Sequence, residues 1–221
     1  MTARRRAEEH RTLLANELSH RVKNTLASLQ AIVSQTMRRA TSVAEAGTTL
    51  EARIHAMSAA NDLLISGRFE STSLRALIER TLIPFGVEDD QRFKITGENL
   101  QLPPRLVVAF ALALHELATN AAKYGALSTA DGVIELSWKV MDGWQPHDLH
   151  LTWVESGGPP VTPPTRTSFG TQLIQRVLAH ETGGTAKISY LPGGVVFEAV
   201  APLVDSADND NEQHNRAEER N

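Results

Sequence analysis

Apolar residues in the first third of the chain recur every three or four positions, and beyond Ser66 that rhythm gives way to runs that alternate. From Leu14 the apolar positions are Leu18, Val22, Thr25 or Leu26, Leu29, Ile32 or Val33, and Met37. This spacing predicts one long amphipathic helix. Ser42–Glu45 has the form of a capping box, and Leu50, Ile54, Met57, Asn61 and Leu64 then repeat at helical spacing. A helical hairpin follows. Its apolar stripes exceed what one partner helix can cover, so a second copy is the natural completion, and a dimeric four-helix bundle is expected.

After the boundary stretch ISGRFEST the pattern mixes helix and strand. SLRALIERTLIPFG reads as helical and RFKIT as extended. PPRLVVAFALALHELATNAAKYG reads as a long helix opened by prolines and closed by Gly125. GVIELSWKV and DLHLTWVE alternate as adjacent antiparallel strands. Ser156–Gly170, with four prolines and three glycines, is a loop; a helix TQLIQRVLAHET and a final strand pair, TAKISYL and GVVFEAVAP, follow it. The expected fold is therefore a helical hairpin followed by an α/β sandwich, its helices packed on one face of a mixed, mostly antiparallel sheet. The boundaries expected are 1–12 for a leading helix or linker, 13–68 for the hairpin, 72–203 for the sandwich and 204–221 for a polar, disordered tail.

Composition removes several function classes. A net charge of −4 and a pI of about 6.1 leave no electrostatic footprint for nucleic acid. Zero cysteines exclude disulfides and thiol ligands. The longest apolar run, Leu106–Leu114, is far short of the roughly 20 residues of a membrane span. No apolar segment follows the basic residues Arg4, Arg5 and Arg6 as it would in a signal peptide. The expectation is a cytoplasmic protein without direct membrane contact.

On the helix from Leu106 to Tyr124, Glu116, Asn120 and Lys123 stand in one row at i, i+4 and i+7. A carboxylate can orient a nucleophile or take its proton, an amide oxygen can ligate Mg²⁺, and an ammonium can neutralise phosphate oxygens. Alone, such a row is an ordinary solvated face. Here an acid at a strand end, Glu155, is followed by Gly157, Gly158, a proline-rich loop and SFGTQLI opening a helix. Glycines admit close backbone approach, and a helix N-terminus attracts phosphate. This is the outline of a nucleotide pocket.

ALHELATNAAKYGALS, LTWVESGGPPV and SFGTQLI, preceded by ELSHRVKNTLASLQAIV, resemble the histidine kinases of the HWE group, over about Glu17 to Pro202. His115 stands at the group's His position, and Trp153 and Glu155 at its W-x-E. The resemblance implies a dimerisation and phosphotransfer hairpin joined to an ATP-binding sandwich of the kind shared with gyrase, the Hsp90 chaperones and mismatch-repair ATPases. It implies His20 as the phosphoacceptor, with Glu17 and Asn24 on the same helix face. Arg21 follows His20 where many other histidine kinases carry an acid, so Glu116 is taken as the catalytic carboxylate, with Glu17 its local competitor. Asn120 matches the Mg²⁺-binding asparagine, Lys123 and Tyr124 the phosphate and ring contacts, and Glu155 the acid that accepts from the adenine amino group. Gly157 and Gly158 match adjacent glycines of the family. Phe169, Gly170 and Thr171 match the segment opening the next helix, where Ser168 replaces a glycine. His180 reads as a partner of its helix dipole.

The function so implied is that of a sensor histidine kinase core. It uses ATP and Mg²⁺ to phosphorylate His20, then passes the phosphoryl group to an aspartate of a response-regulator receiver domain, with the sensor expected outside this chain. A phosphotransfer adaptor would not need Glu116, Asn120, Lys123 and Glu155 together. A simple ATPase of the superfamily would not need LSHRVKN.

Overall fold

The computed structural model describes residues 26–27, 29–34, 36–38, 40–66, 71–87, 91–141, 148–161 and 183–203. Glu17, His20, Arg21, Asn24, Ser168, Phe169, Gly170, Thr171 and His180, the helix expected over 171–182 and the tail expected over 204–221 lie outside the described residues. The chain divides into two compact units, Met1–His55 and Ala56–Asn221.

In the first unit, residues 26–27, 29–34 and 36–38 are helical (α1), and α2, Val43–Ser66, begins here. The Ser42 hydroxyl accepts from the Glu45 N–H at 3.1 Å, and the Glu45 carboxylate accepts from the Thr41 N–H at 2.8 Å. The expected capping box is therefore made with its return bond one residue earlier, on Thr41 rather than on Ser42. Ile32, Thr36, Ala46 and Arg53 are buried. The Arg53 guanidinium donates to Thr36 Oγ1 at 2.7 Å, and that hydroxyl donates to the Ile32 carbonyl at 2.6 Å. Of the expected apolar stripes, Ile32, Met57 and Leu64 are buried and Leu29 and Leu50 half-buried, whereas Leu26, Val33, Met37 and Ile54 are exposed. Periodicity located the helices but did not separate Ile32 from Val33, because adjacent residues lie only about 100° apart on a helix.

The second unit is a two-layer α/β sandwich. The end of α2 contributes Ala60 and Leu64 to its core. β1 (Thr72–Ser73) pairs antiparallel with β3 (Gln101–Leu102). Ser73 caps α3 (Leu74–Leu82), and a 3₁₀ turn, Ile83–Phe85, closes at Gly86 with φ 86°. Pro84 ends the helix earlier than the apolar pattern alone implies, since its ring excludes a further helical hydrogen bond. β2 (Phe93–Gly97), β4 (Val133–Met141), β5 (Asp148–Ser156), β7 (Gly194–Pro202) and β6 (Thr185–Leu191) form one sheet in that spatial order. β2 runs parallel to β4 and the other pairs are antiparallel.

Strand alternation decides which face is covered. Ile134, Leu136 and Trp138 of β4, Leu149, Leu151 and Trp153 of β5, and Phe197, Ala199 and Ala201 of β7 all join one core cluster. Between them Glu135, Ser137, Lys139 and Glu198 are exposed. Helix α4, Pro104–Tyr124, lies against the apolar face and is buried almost all round from Leu106 to Ala118. By length and mean hydropathy α4 would pass for a membrane span, but 72% of its most apolar window is buried in the fold, which marks it as a core helix.

Candidate functional site

The row predicted on α4 emerges gradually from the core. Glu116 is buried, Asn120 half-buried, and Lys123 and Tyr124 exposed, with Tyr124 at 74%. The last turn of α4 thus offers an amide, an ammonium and a phenol to solvent, with a carboxylate set behind them. Preceding Glu116, His115 is buried and meets Phe85 edge to face, ring centroids 5.5 Å apart. This aromatic contact joins α4 to the turn after α3.

Gly125 ends α4 as predicted, but for a different reason. Its N–H bonds the Asn120 and Ala121 carbonyls at 3.2 and 3.0 Å. Its backbone, φ −114° and ψ −149°, is extended and open to any residue. What excludes a side chain is space, because a Cβ on Gly125 would sit 2.0 Å from Glu155 Oε2. The chain then makes a 3₁₀ turn, Ala126–Ser128.

Glu155 is 5% exposed, at the end of β5. Its Oε2 accepts the Ala126 backbone N–H at 2.9 Å. Its Oε1 accepts the indole N–H of Trp153 at 3.2 Å. Trp153 and Glu155 are two residues apart on one strand, so the pleat turns both side chains to the same face. Burial pushes the Glu155 carboxyl above its ordinary value, and the Ala126 and Trp153 donors pull it back by favouring the charged form. Trp153, fully buried, therefore does more than fill the core: it supplies one of two donors to a desolvated carboxylate.

Gly157 and Gly158 pack against the turn that follows α4. Gly157 has φ 70°, and a Cβ there would approach the Asp131 carbonyl oxygen to 2.6 Å; one on Gly158 would lie 2.9 Å from the Ala126 nitrogen. Thr129 Oγ1 shares its proton between the Gly157 carbonyl at 2.9 Å and the Ala126 carbonyl at 3.1 Å, while Arg92 donates to the Thr129 carbonyl at 3.0 Å. In this structure the glycines admit the protein's own backbone. Ala126, Thr129 and Arg92 escaped the sequence reading because they act through backbone groups or on them; the Gly125 beside the helix end was the one visible signal. The structure brings Glu155, Gly157 and Gly158 against the turn at the end of α4. Phe169, Gly170, Thr171 and the acceptor His20 lie outside the described residues.

Residues 17–99 match the family model described as HWE histidine kinase. Over 203 residues, 92% of this chain, the sequence is 38% identical to a blue-light-activated histidine kinase of Brucella anthropi. It is 34% identical over the same extent to one from Brucella ovis. The chain spans about two fifths of these relatives, 41% and 42% of their lengths. Among solved structures, a blue-light activated histidine kinase of Erythrobacter litoralis aligns with TM-score 0.61 at 20% identity, over 87% of this chain and 60% of that one. The histidine kinase domain of that protein aligns with TM-score 0.56 at 17% identity, over 80% of this chain and 93% of that one. At such identities the structural likeness concerns the fold, and the sequence carries the likeness in function: residues 17–99 match the HWE histidine kinases, and 92% of the chain aligns with their blue-light-activated relatives.

Proposed function

We propose that the chain is the phosphoacceptor and ATP-binding portion of a sensor histidine kinase. The observation that carries this reading is the buried Glu155 carboxylate, set at a strand end beside the turn that follows the Asn120–Lys123–Tyr124 helix end, in a chain whose family match includes His20. In the reaction proposed, a lone pair of the neutral His20 imidazole attacks the γ-phosphorus of ATP. The P–O bond to the β-phosphate breaks, ADP leaves, and the proton on the other ring nitrogen passes to a base. Glu116 is the base proposed.

Glu155 accepts from the adenine amino group, Lys123 faces phosphate, Tyr124 contacts the nucleotide ring, and Gly157, Gly158, Phe169, Gly170 and Thr171 complete the nucleotide-binding set that the resemblance implies. Among the described residues no group of three or more His, Asp or Glu could hold a metal. Mg²⁺ keeps waters and substrate phosphates and takes few protein ligands. Asn120 would hold it, and bound Mg²⁺ would neutralise charge on the phosphates.

Assembly as a homodimer is part of the proposal. Leu26, Val33 and Met37 fall within about 40° on the wheel of α1, and the buried Ile32 and Thr36 lie about 100° round from them. Each helix of a four-helix bundle meets two neighbours, so an exposed apolar face at right angles to a buried one is what a second hairpin requires. The phosphoryl group then passes to an aspartate of a response-regulator receiver, under control of a sensor outside this chain, in the cytoplasm where ATP is available. The test is acid-labile label from γ-labelled ATP on the purified chain. Label is expected on the wild type and none on His20→Gln, which keeps its ATP affinity; label persisting on the variant refutes His20 as acceptor.

A further inference from the structure

Glu155 is an unusual recognition group because both of its oxygens are already engaged from inside the protein. Ala126 N–H lies 2.9 Å from Oε2 and the Trp153 indole N–H 3.2 Å from Oε1. A carboxylate accepts about four hydrogen bonds, so these two leave lone pairs to spare while fixing where they point. The surroundings do the rest. Gly125 at the α4 end adjoins the carboxylate, Ile134 lies opposite on β4 and Gly194 at the start of β7 meets the Glu155 backbone carbonyl, and none of them carries a charge. Charged side chains on the same elements are Arg105, Glu116 and Lys123 of α4, Glu135 and Lys139 of β4, Asp148 of β5 and Glu198 of β7; Lys123, Glu135, Lys139 and Glu198 are exposed, and the influences acting on Glu155 are burial and the two N–H donors. Trp153 is itself fully buried between Leu136 of β4 and Phe197 of β7, so its ring cannot swing away.

We infer that Trp153 is a positioning residue for purine recognition: with the Ala126 N–H, its indole N–H fixes the Glu155 carboxylate so that the remaining lone pairs accept from the amino group of a 6-aminopurine and repel a 6-oxo purine. The inference rests on the reading of Glu155 as the base-recognition group. A rigid acceptor discriminates because the partner lacking the donor leaves a buried charge unpaired. Loss of the indole donor removes one of the two restraints and one of the two influences that keep the group ionised.

The experiment compares ATP with inosine triphosphate, which carries oxygen in place of the 6-amino group, by direct binding titration across pH on the full chain and on Trp153→Phe. The wild type should prefer ATP, and the preference should collapse as acid protonates Glu155. In Trp153→Phe the ATP affinity at neutral pH should fall about tenfold with that for inosine triphosphate unchanged, and the collapse should begin at higher pH. A purely structural loss would weaken both nucleotides alike and leave the pH profile in place, and that result overturns the inference. A wild type that binds both nucleotides equally instead overturns the reading of Glu155 beneath it. Should Trp153→Phe not fold, the Trp153 indole proton resonance of the wild type decides: it must shift with pH together with the nucleotide preference, and an indole proton indifferent to pH refutes the proposal.

Discussion

Replacing Gly125 by alanine tests whether this glycine is present to leave room rather than to bend the chain. The new Cβ would fall 2.0 Å from Glu155 Oε2, 3.0 Å from the Ala121 Cα and 3.1 Å from Glu155 Cδ. Two of these three atoms belong to one side chain, so the carboxylate must give way and release the Ala126 N–H. A hydrogen bond to a charged group contributes roughly 1.5–3 kcal/mol. Against this, alanine in an extended conformation gains about 0.4–1 kcal/mol from the lower entropy of the unfolded chain. The net loss is about 1–2 kcal/mol, or about 2–8 °C in Tm for a domain of this size. Thermal unfolding of the single variants and of Gly125→Ala/Glu155→Asp closes the cycle. Aspartate withdraws the carboxylate by about 1.5 Å, one C–C bond, so the double variant should be less destabilised than the sum by about 1 kcal/mol. Strict additivity, or a Gly125→Ala protein as stable as the wild type with unchanged ATP affinity, would falsify the account.

Asn120→Ala should remove the Mg²⁺ dependence of nucleotide binding, read by titration with and without the ion; a variant whose ATP binding still responds to Mg²⁺ as the wild type does sinks the metal assignment. Val33→Glu with Met37→Glu should yield a folded monomer by light scattering at micromolar concentration, whereas an unaltered mass means that the exposed α1 face carries no dimer contact. Glu116→Gln should slow labelling of His20 at saturating ATP by roughly 10²–10⁴-fold with ATP affinity nearly kept, as general-base loss requires. Glu17→Gln is its control, and loss of transfer there with Glu116→Gln intact assigns the base to the phosphoacceptor helix instead.

What the sequence disclosed depended on whether a feature repeats along the chain. The strands carrying Ile134, Leu136 and Trp138, or Leu149, Leu151 and Trp153, announced themselves by alternation, and the structure buries these residues on one face. The long helix was legible from its prolines, its unbroken apolar run and Gly125. Partners across the fold were not legible, because no period encodes them. Arg53, a charge beside the apolar position Ile54, is 4% exposed and donates to Thr36. His115 likewise gave no sign of Phe85, thirty residues earlier in the chain. In the site, side-chain chemistry pointed to Glu155, but its companions are the N–H of an alanine and the missing Cβ of a glycine, which no reading of side-chain types can single out.

The length of the Glu155 side chain draws these companions into one argument. A glutamate at this strand end carries its carboxylate one methylene further than an aspartate would, as far as the Ala126 N–H, and it can lie there because Gly125 has no Cβ. A carboxylate driven that deep loses water, and its charged form then needs more than one donor to offset desolvation. The pleat of β5 offers a second donor only from a residue two positions away on the same face, and among large side chains that tolerate full burial tryptophan brings an N–H with no acceptor of its own to satisfy. Trp153 and Glu155 are therefore better regarded as one acceptor unit than as two separate markers. The spacing of the W-x-E pair is the spacing of a strand, and the turn Gly125–Ala126 is the complementary half of the same device.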